Sequence, residues 1–197
     1  MTQGNSTDTR TRFLDAGARL FRRRGYTATG VKQLVADGGA PLGSLYYFFP
    51  NGKAQIALEG MLRTAEHYEL LLDRVFQQHP DIGDAASAWF RMASDALRAS
   101  DYQDGCPIGT LASEIATTND ELRQGAQDVF AAWQHRVAER LVELRVERRE
   151  ARRLAAFAVS ALEGAILLGR VQRNTSPLND TGRIVAQTLR SAAEGAA

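Results

Sequence analysis

The stretch Thr29–Phe49, TGVKQLVADGGAPLGSLYYFF, decides how the chain is read. Val31, Leu34 and Val35 fall on one face of a short helix, Thr29 stands at its start as a capping hydroxyl, and Gly38-Gly39 ends it. Pro41 suits the first position of a second helix, where a missing amide hydrogen is no loss. Leu45 supplies that helix's inward anchor, and Pro50-Asn51-Gly52 breaks the chain after it. Two short helices therefore flank a three-residue turn. This is the sequence form of a helix-turn-helix, in which the second helix enters the DNA major groove while the first crosses the backbone.

Outward from this core the pattern stays helical. Before it, Phe13, Leu14, Gly17, Leu20 and Phe21 recur at helical spacing, with Arg10, Arg19, Arg22 and Arg23 on the flanks. A helix is expected from Thr7 to Arg24, stopped by Gly25. After it, Gly52 to His79 reads as one long helix with Ile56, Met61, Ala65, Leu72 and Val75 on its apolar face, ended by Pro80. Further helices are expected over Asp84 to Ala99, from Pro107 to beyond Ile115, over Asp120 to Val146 with Asn119 or Asp120 as cap, over Arg149 to Arg173, and over Ser176 to Ala193. The last two are rich in small and aliphatic residues, which permit close helix approach. The expected fold class is all-α.

Composition narrows the function. The chain has 197 residues, 24 basic and 23 acidic, with 44% hydrophobic residues and one cysteine. At this length a fold buries about 70% of the surface its unfolded chain exposes, so no disulfide or metal staple is needed. One cysteine also removes the disulfide-framework and multi-thiolate zinc classes. The near-neutral total hides an asymmetry: the first 60 residues carry eight basic and four acidic groups, hence +4, and the remainder sums to −3. Contact with a polyanion is expected on the N-terminal side, although such an excess is equally common as plain solvated surface. Met1 to Arg12 lacks the apolar stretch of a signal peptide, and apolar runs such as Ala165 to Leu168 fall short of spanning length. A cytoplasmic protein without membrane contact is expected.

The segment FRRRGYTA, Thr29–Phe49 and PNGKAQIALE together resemble the DNA-binding domain of the TetR/AcrR family of bacterial transcriptional regulators. The resemblance rests on Gly25-Tyr26, Thr29, Gly39, Gly43-x-Leu45-Tyr46, Phe49 and Lys53. The PNGK loop and the Gly105-Cys106-Pro107-Ile108-Gly109 segment resemble the LmrA/YxaF-like subgroup. It implies an N-terminal three-helix helix-turn-helix domain over residues 6–60 and a larger C-terminal helical domain for ligand binding and dimerisation over 61–197. It also implies a homodimer paired through the last two helices, a palindromic double-stranded operator, and a repressor released by a small lipophilic or aromatic effector.

Candidate DNA contacts follow from chemistry. Gly43 and Ser44 lack bulk, so the third helix can approach base edges closely, and the serine hydroxyl can donate or accept there. Leu42 suits a thymine methyl, with packing as the equal alternative. Tyr46 and Tyr47 can reach phosphate oxygens, Lys53 can pair with phosphate, and Thr29 with Gly30 offers helix-start amides to another. Phe48 and Phe49 read as hydrophobic anchors. Within the C-terminal domain Met61, Tyr68, Trp89, Phe90, Met92, Cys106, Phe130, Trp133 and Gln134 are the candidates for an effector pocket, each of them equally suited to an ordinary core. Glu114 or Glu163, if turned inward, would favour a cationic guest.

Nothing in the pattern supports catalysis. His67, His79 and His135 keep no fixed spacing to Cys106 or to one another, no metal-ligand spacing occurs, and no glycine-rich phosphate loop follows a strand. No enzyme, cofactor or metal is expected. Two other readings remain open: a DNA-binding regulator without a small-molecule ligand, and a helical enzyme or interaction scaffold that has lost DNA binding.

Overall fold

The computed structural model describes residues 3–196. Among these residues it contains helices and no strand. In chain order they are α1 (Gln3–Arg24), α2 (Val31–Gly38), α3 (Leu42–Phe48), α4 (Gly52–Gln78), α5 (Ile82–Ala99), α6 (Pro107–Ile115), α7 (Asp120–Glu143), α8 (Arg148–Gln172) and α9 (Ser176–Glu194). The expected helices are all present, and the differences lie at their ends. α2 begins at Val31 with Gly30 as its cap, because the Thr29 hydroxyl donates backward to the Gly25 carbonyl at 2.7 Å instead of capping forward. Pro41 is itself the cap of α3, one position outside the helix, with extended backbone. α5 starts earlier than read, since the Asp81 carboxylate accepts from the Asp84 amide and so caps it. Asn119 caps α7 by accepting from the Leu122 amide at 2.9 Å.

These helices form two compact units, each drawn from two stretches of chain. The first takes the chain through Ala65 together with Cys106–Val129; the second takes Glu66–Gly105 and the chain from Phe130 onward. In the first unit Phe13, Leu34, Leu45, Phe49 and Ile56 are fully buried and pin α1 to α4 together, Phe13 meeting Phe49 edge to face. Two ion pairs, Arg10 with Glu59 and Arg63 with Asp15, tie α1 to α4 along the outside. The turn between α2 and α3 closes because Gly39 adopts φ 60°, a left-handed conformation that glycine enters without strain, and returns its amide to Val35 and Ala36. α6 packs against α1 within this same unit.

In the second unit α5, α8 and α9 pack around Ile82, Phe90, Leu97, Leu162, Leu178, Val185 and Leu189. The Phe90 side chain lies on Gly182 of α9, where an added β-carbon would come within 2.7 Å of the Phe90 β-carbon and 2.9 Å of its ring. Arg190 of α9 clamps Asp81 and Asp84 at the start of α5. α8 corrects one expectation: it is long and apolar enough to cross a membrane. Its apolarity is spread over two faces. Leu154, Ala155, Ala158, Leu162 and Ala165 are buried, whereas Phe157, Leu167, Leu168 and Val171 are exposed, as is Ile184 of α9.

Candidate DNA interface and effector cavity

α3 is held by one side and bare on the other. Leu45 is its only fully buried residue, and Phe49 just beyond it is also sealed, so the opposite face is left to solvent. On that face Leu42 is 49%, Tyr46 47% and Tyr47 78% exposed. A side chain built at Gly43 would meet nothing within 4 Å. Ser44 is partly exposed between them, and Phe48 is half-buried, its ring 5.0 Å from that of Tyr47. A short helix with small residues flanked by exposed aromatics can enter a groove and let phenol hydroxyls reach the walls. Leu42 is neither packed nor polar, so an apolar base contact is the chemistry it offers.

The neighbouring anion sites divide. Gly30 is exposed with open space beside it at the start of α2, and Lys32, the second residue of that helix, is exposed too. That helix start can take a phosphate. Thr29 contributes by fixing the turn from inside, being completely buried with its hydroxyl bonded to Gly25. Lys53 is engaged within the protein: Nζ donates to the Tyr26 carbonyl at 3.1 Å and lies 4.0 Å from the centre of the Tyr26 ring. Burial pushes its ammonium below the ordinary lysine range, with the Glu114 carboxylate pulling the other way. Tyr26 is shifted upward by burial.

The second unit holds a partly open apolar cavity of about 50 Å³. Leu72, Val75 and Phe76 of α4, Trp89 and Phe90 of α5, Trp133 and Val137 of α7, Ala158 and Leu162 of α8 and Val185 and Leu189 of α9 line it. Of the residues read as pocket candidates, Trp89, Phe90 and Trp133 reach this wall. Tyr68 backs it, its ring 5.5 Å from Trp133 and 6.0 Å from Trp89, and Phe130 meets Trp133 edge to face at 5.6 Å. Gln134 is half-buried, and Met92 is exposed on the outer face of α5. Met61 and Cys106 belong to the first unit. Met61 is buried beside Gly125, and the Cys106 sulfur caps α6 by accepting from the Gly109 amide. Neither Glu114 nor Glu163 lines the cavity. Glu114 is in the first unit, bonded to Thr27, so the cationic guest loses that support. One polar group stands out at the wall: the Trp133 indole Nε1–H is buried without an acceptor among the described residues. No cluster of three or more metal-ligating side chains occurs among the described residues.

Comparison with known proteins decides what this pair of features belongs to. Residues 13–59 match the description "Bacterial regulatory proteins, tetR family", and residues 83–184 match "Transcriptional regulator LmrA/YxaF-like, C-terminal domain". The chain belongs to the TetR family. Within it, the YxaF regulator of Bacillus subtilis is 34% identical over 171 residues, covering 87% of this chain and 90% of that one. The LmrA regulator of the same organism is 30% identical, covering 87% and 91%. A TetR transcriptional regulator from Chloroflexus aurantiacus is similar in structure, with a TM-score of 0.79 and 26% identity over 95% of this chain and 96% of that one. As a TetR-family member the protein is a DNA-binding transcriptional regulator and not an enzyme. α2 and α3 are its helix-turn-helix. Sequence reading offers Glu114 only as a possible pocket carboxylate and misses its bond to Thr27, 87 positions away, a distance at which no local pattern reports a contact.

Proposed function

We propose that the protein is a cytoplasmic, homodimeric repressor that holds a palindromic operator and releases it when a small lipophilic or aromatic molecule enters the second unit. The observation that carries this reading is the apolar cavity, lined by the C-terminal half of the same helix, α4, whose N-terminal end follows the recognition helix α3 in the chain. At about 50 Å³ the space is smaller than the roughly 150 Å³ that admits a benzene ring. On this reading a larger guest is seated by displacing lining helices, α4 among them. Binding then differs between two arrangements, which is the condition for a ligand to shift an equilibrium.

The wall is lined by apolar and aromatic side chains, and one of them, Trp133, carries a buried donor without a partner among the described residues, so the effector is a neutral molecule carrying a hydrogen-bond acceptor for Trp133 Nε1–H. Leaving a buried donor unsatisfied is unfavourable by about 1–3 kcal/mol, which an acceptor on the guest recovers. The exposed apolar residues of α8 and α9 support subunit pairing through those helices, which also accounts for the spanning-type composition of α8 without a membrane. Two copies would place two recognition helices on successive half-sites. On the DNA side Leu42, Gly43 and Ser44 read bases, Tyr46, Tyr47 and Lys53 reach phosphates, and Gly30 offers helix-start amides.

The test is a footprint on promoter DNA beside the protein's own gene, repeated with a library of neutral aromatic compounds. A protected palindrome that is lost with some compounds is expected. Protection unaffected by every compound favours a regulator without a ligand. For an active compound, Trp133→Phe keeps the ring and removes the donor, and should raise its Kd about tenfold, the equivalent of about 1.4 kcal/mol.

A further inference from the structure

The peptide group joining Tyr26 to Thr27 is gripped at both ends by opposite charges. Its carbonyl accepts from Lys53 Nζ at 3.1 Å, and its N–H donates to Glu114 Oε2 at 2.7 Å. In a trans peptide these two groups point in opposite directions, so the ammonium and the carboxylate lie on either side of one polarised unit. The grip has a steric counterpart. Gly25 takes φ +82°, and a β-carbon there would fall 1.5 Å from Glu114 Oε1, so the carboxylate occupies the place a side chain would need. The Tyr26 ring closes the Lys53 side, 4.0 Å from the ammonium. All of these groups belong to the first unit, with α6 supplying Glu114.

We infer that Glu114 is a positioning residue that withholds Lys53 from DNA: through the Tyr26–Thr27 peptide it holds the ammonium folded onto the turn before α2, and a phosphate must compete for it. Glu114 touches no DNA in this scheme. It acts on the lysine, and Glu114 is the charged group that bears on that lysine, with the Tyr26 ring and carbonyl beside it. The inference rests on the assignment of Lys53 as a phosphate contact, and the experiment separates the two.

Binding of the full-length protein to a short mixed-sequence duplex is measured across a salt series for wild type, Glu114→Gln, Lys53→Ala and the double variant. Glutamine retains an oxygen for the Thr27 amide and removes only the charge. Glu114→Gln should bind about three- to tenfold more tightly at low salt, and the gain should shrink as salt rises, which a packing change would not do. The gain should vanish when Lys53 is alanine. A gain that survives without Lys53 reflects removal of any negative charge near DNA and overturns the inference, as does equal or weaker binding by Glu114→Gln. If Lys53→Ala alone leaves affinity and salt dependence unchanged, the phosphate assignment fails and the inference with it. A readout without DNA protects against a folding artefact: labelling of Lys53 by an amine-acylating reagent, followed by mass spectrometry, should be faster in Glu114→Gln. An unchanged labelling rate in a folded variant also overturns the inference.

Discussion

The two regions to which the proposal assigns DNA reading and effector binding are built on opposite plans. The DNA-reading face is a surface made by about twenty consecutive residues, with its anchors, Leu45 and Phe49, buried behind it. The cavity is an interior assembled from side chains between Leu72 and Leu189 on α4, α5, α7, α8 and α9. In the first region what matters is what sticks out; in the second it is what fails to fill. Substitutions are therefore expected to separate stability from function cleanly at α3, and to exchange one for the other at the cavity.

The largest expected effect tests the anchors. Phe49→Ala removes a fully buried ring from between α1 and α3 and should destabilise by about 3–5 kcal/mol, seen as a lowered denaturant midpoint together with loss of DNA binding. A stable Phe49→Ala protein that still binds operator would erase the distinction between anchor and face. Gly43→Trp tests the face. Open space surrounds Gly43, so unfolding free energy should move by about 0.5 kcal/mol or less while operator affinity falls at least about tenfold, as a bulky ring keeps the helix from the bases. Ser44→Ala, smaller still, should chiefly change sequence preference.

At the cavity, Ala158→Leu adds carbon to a wall of the 50 Å³ space. Stability should change by about 1 kcal/mol in either direction, operator affinity should persist, and release by compounds should be lost. Loss of DNA binding with retained compound binding would reverse the roles of the two regions. The smallest effect concerns the α5–α9 clamp. Hydrogen bonds from Arg190 hold the Asp81 carboxyl below its usual value of 3.8. Its contribution is therefore complete above that value and fades as pH falls through the lowered one. Both groups are largely solvated, so the melting temperature of Arg190→Ala should sit slightly below wild type near neutrality and converge with it in strong acid.

This contrast in plan also explains what the sequence reveals. Helix spacing, glycine stops and the cap at Asn119 are local, and so are the small and aromatic residue types from which the DNA contacts of α3 are proposed. Thr29 is misread as a forward cap because a threonine at a helix start has two partners within reach, the amides ahead and the Gly25 carbonyl behind, and only the fold chooses. The apolar reach of α8 is hidden among alanines and glycines rather than in a single run of large residues. Trp89, Phe90 and Trp133 converge on one cavity, whereas Met61 and Cys106 serve the other unit; hydrophobic type alone does not distinguish a pocket wall from a core. Glu114, read as a possible pocket carboxylate, is instead a partner of the turn before α2, a contact 87 positions away that helix pattern does not report.

The membership of α6 in the first unit has a consequence for anyone who would recombine such regulators. A chimaera spliced at residue 60 would strip α1 of a packing partner and leave the turn at Gly25–Thr27 without its carboxylate. An exchangeable cassette has to carry residues 106–129 along with the N-terminal segment, which makes sensor and reader harder to trade between relatives than their order along the chain suggests.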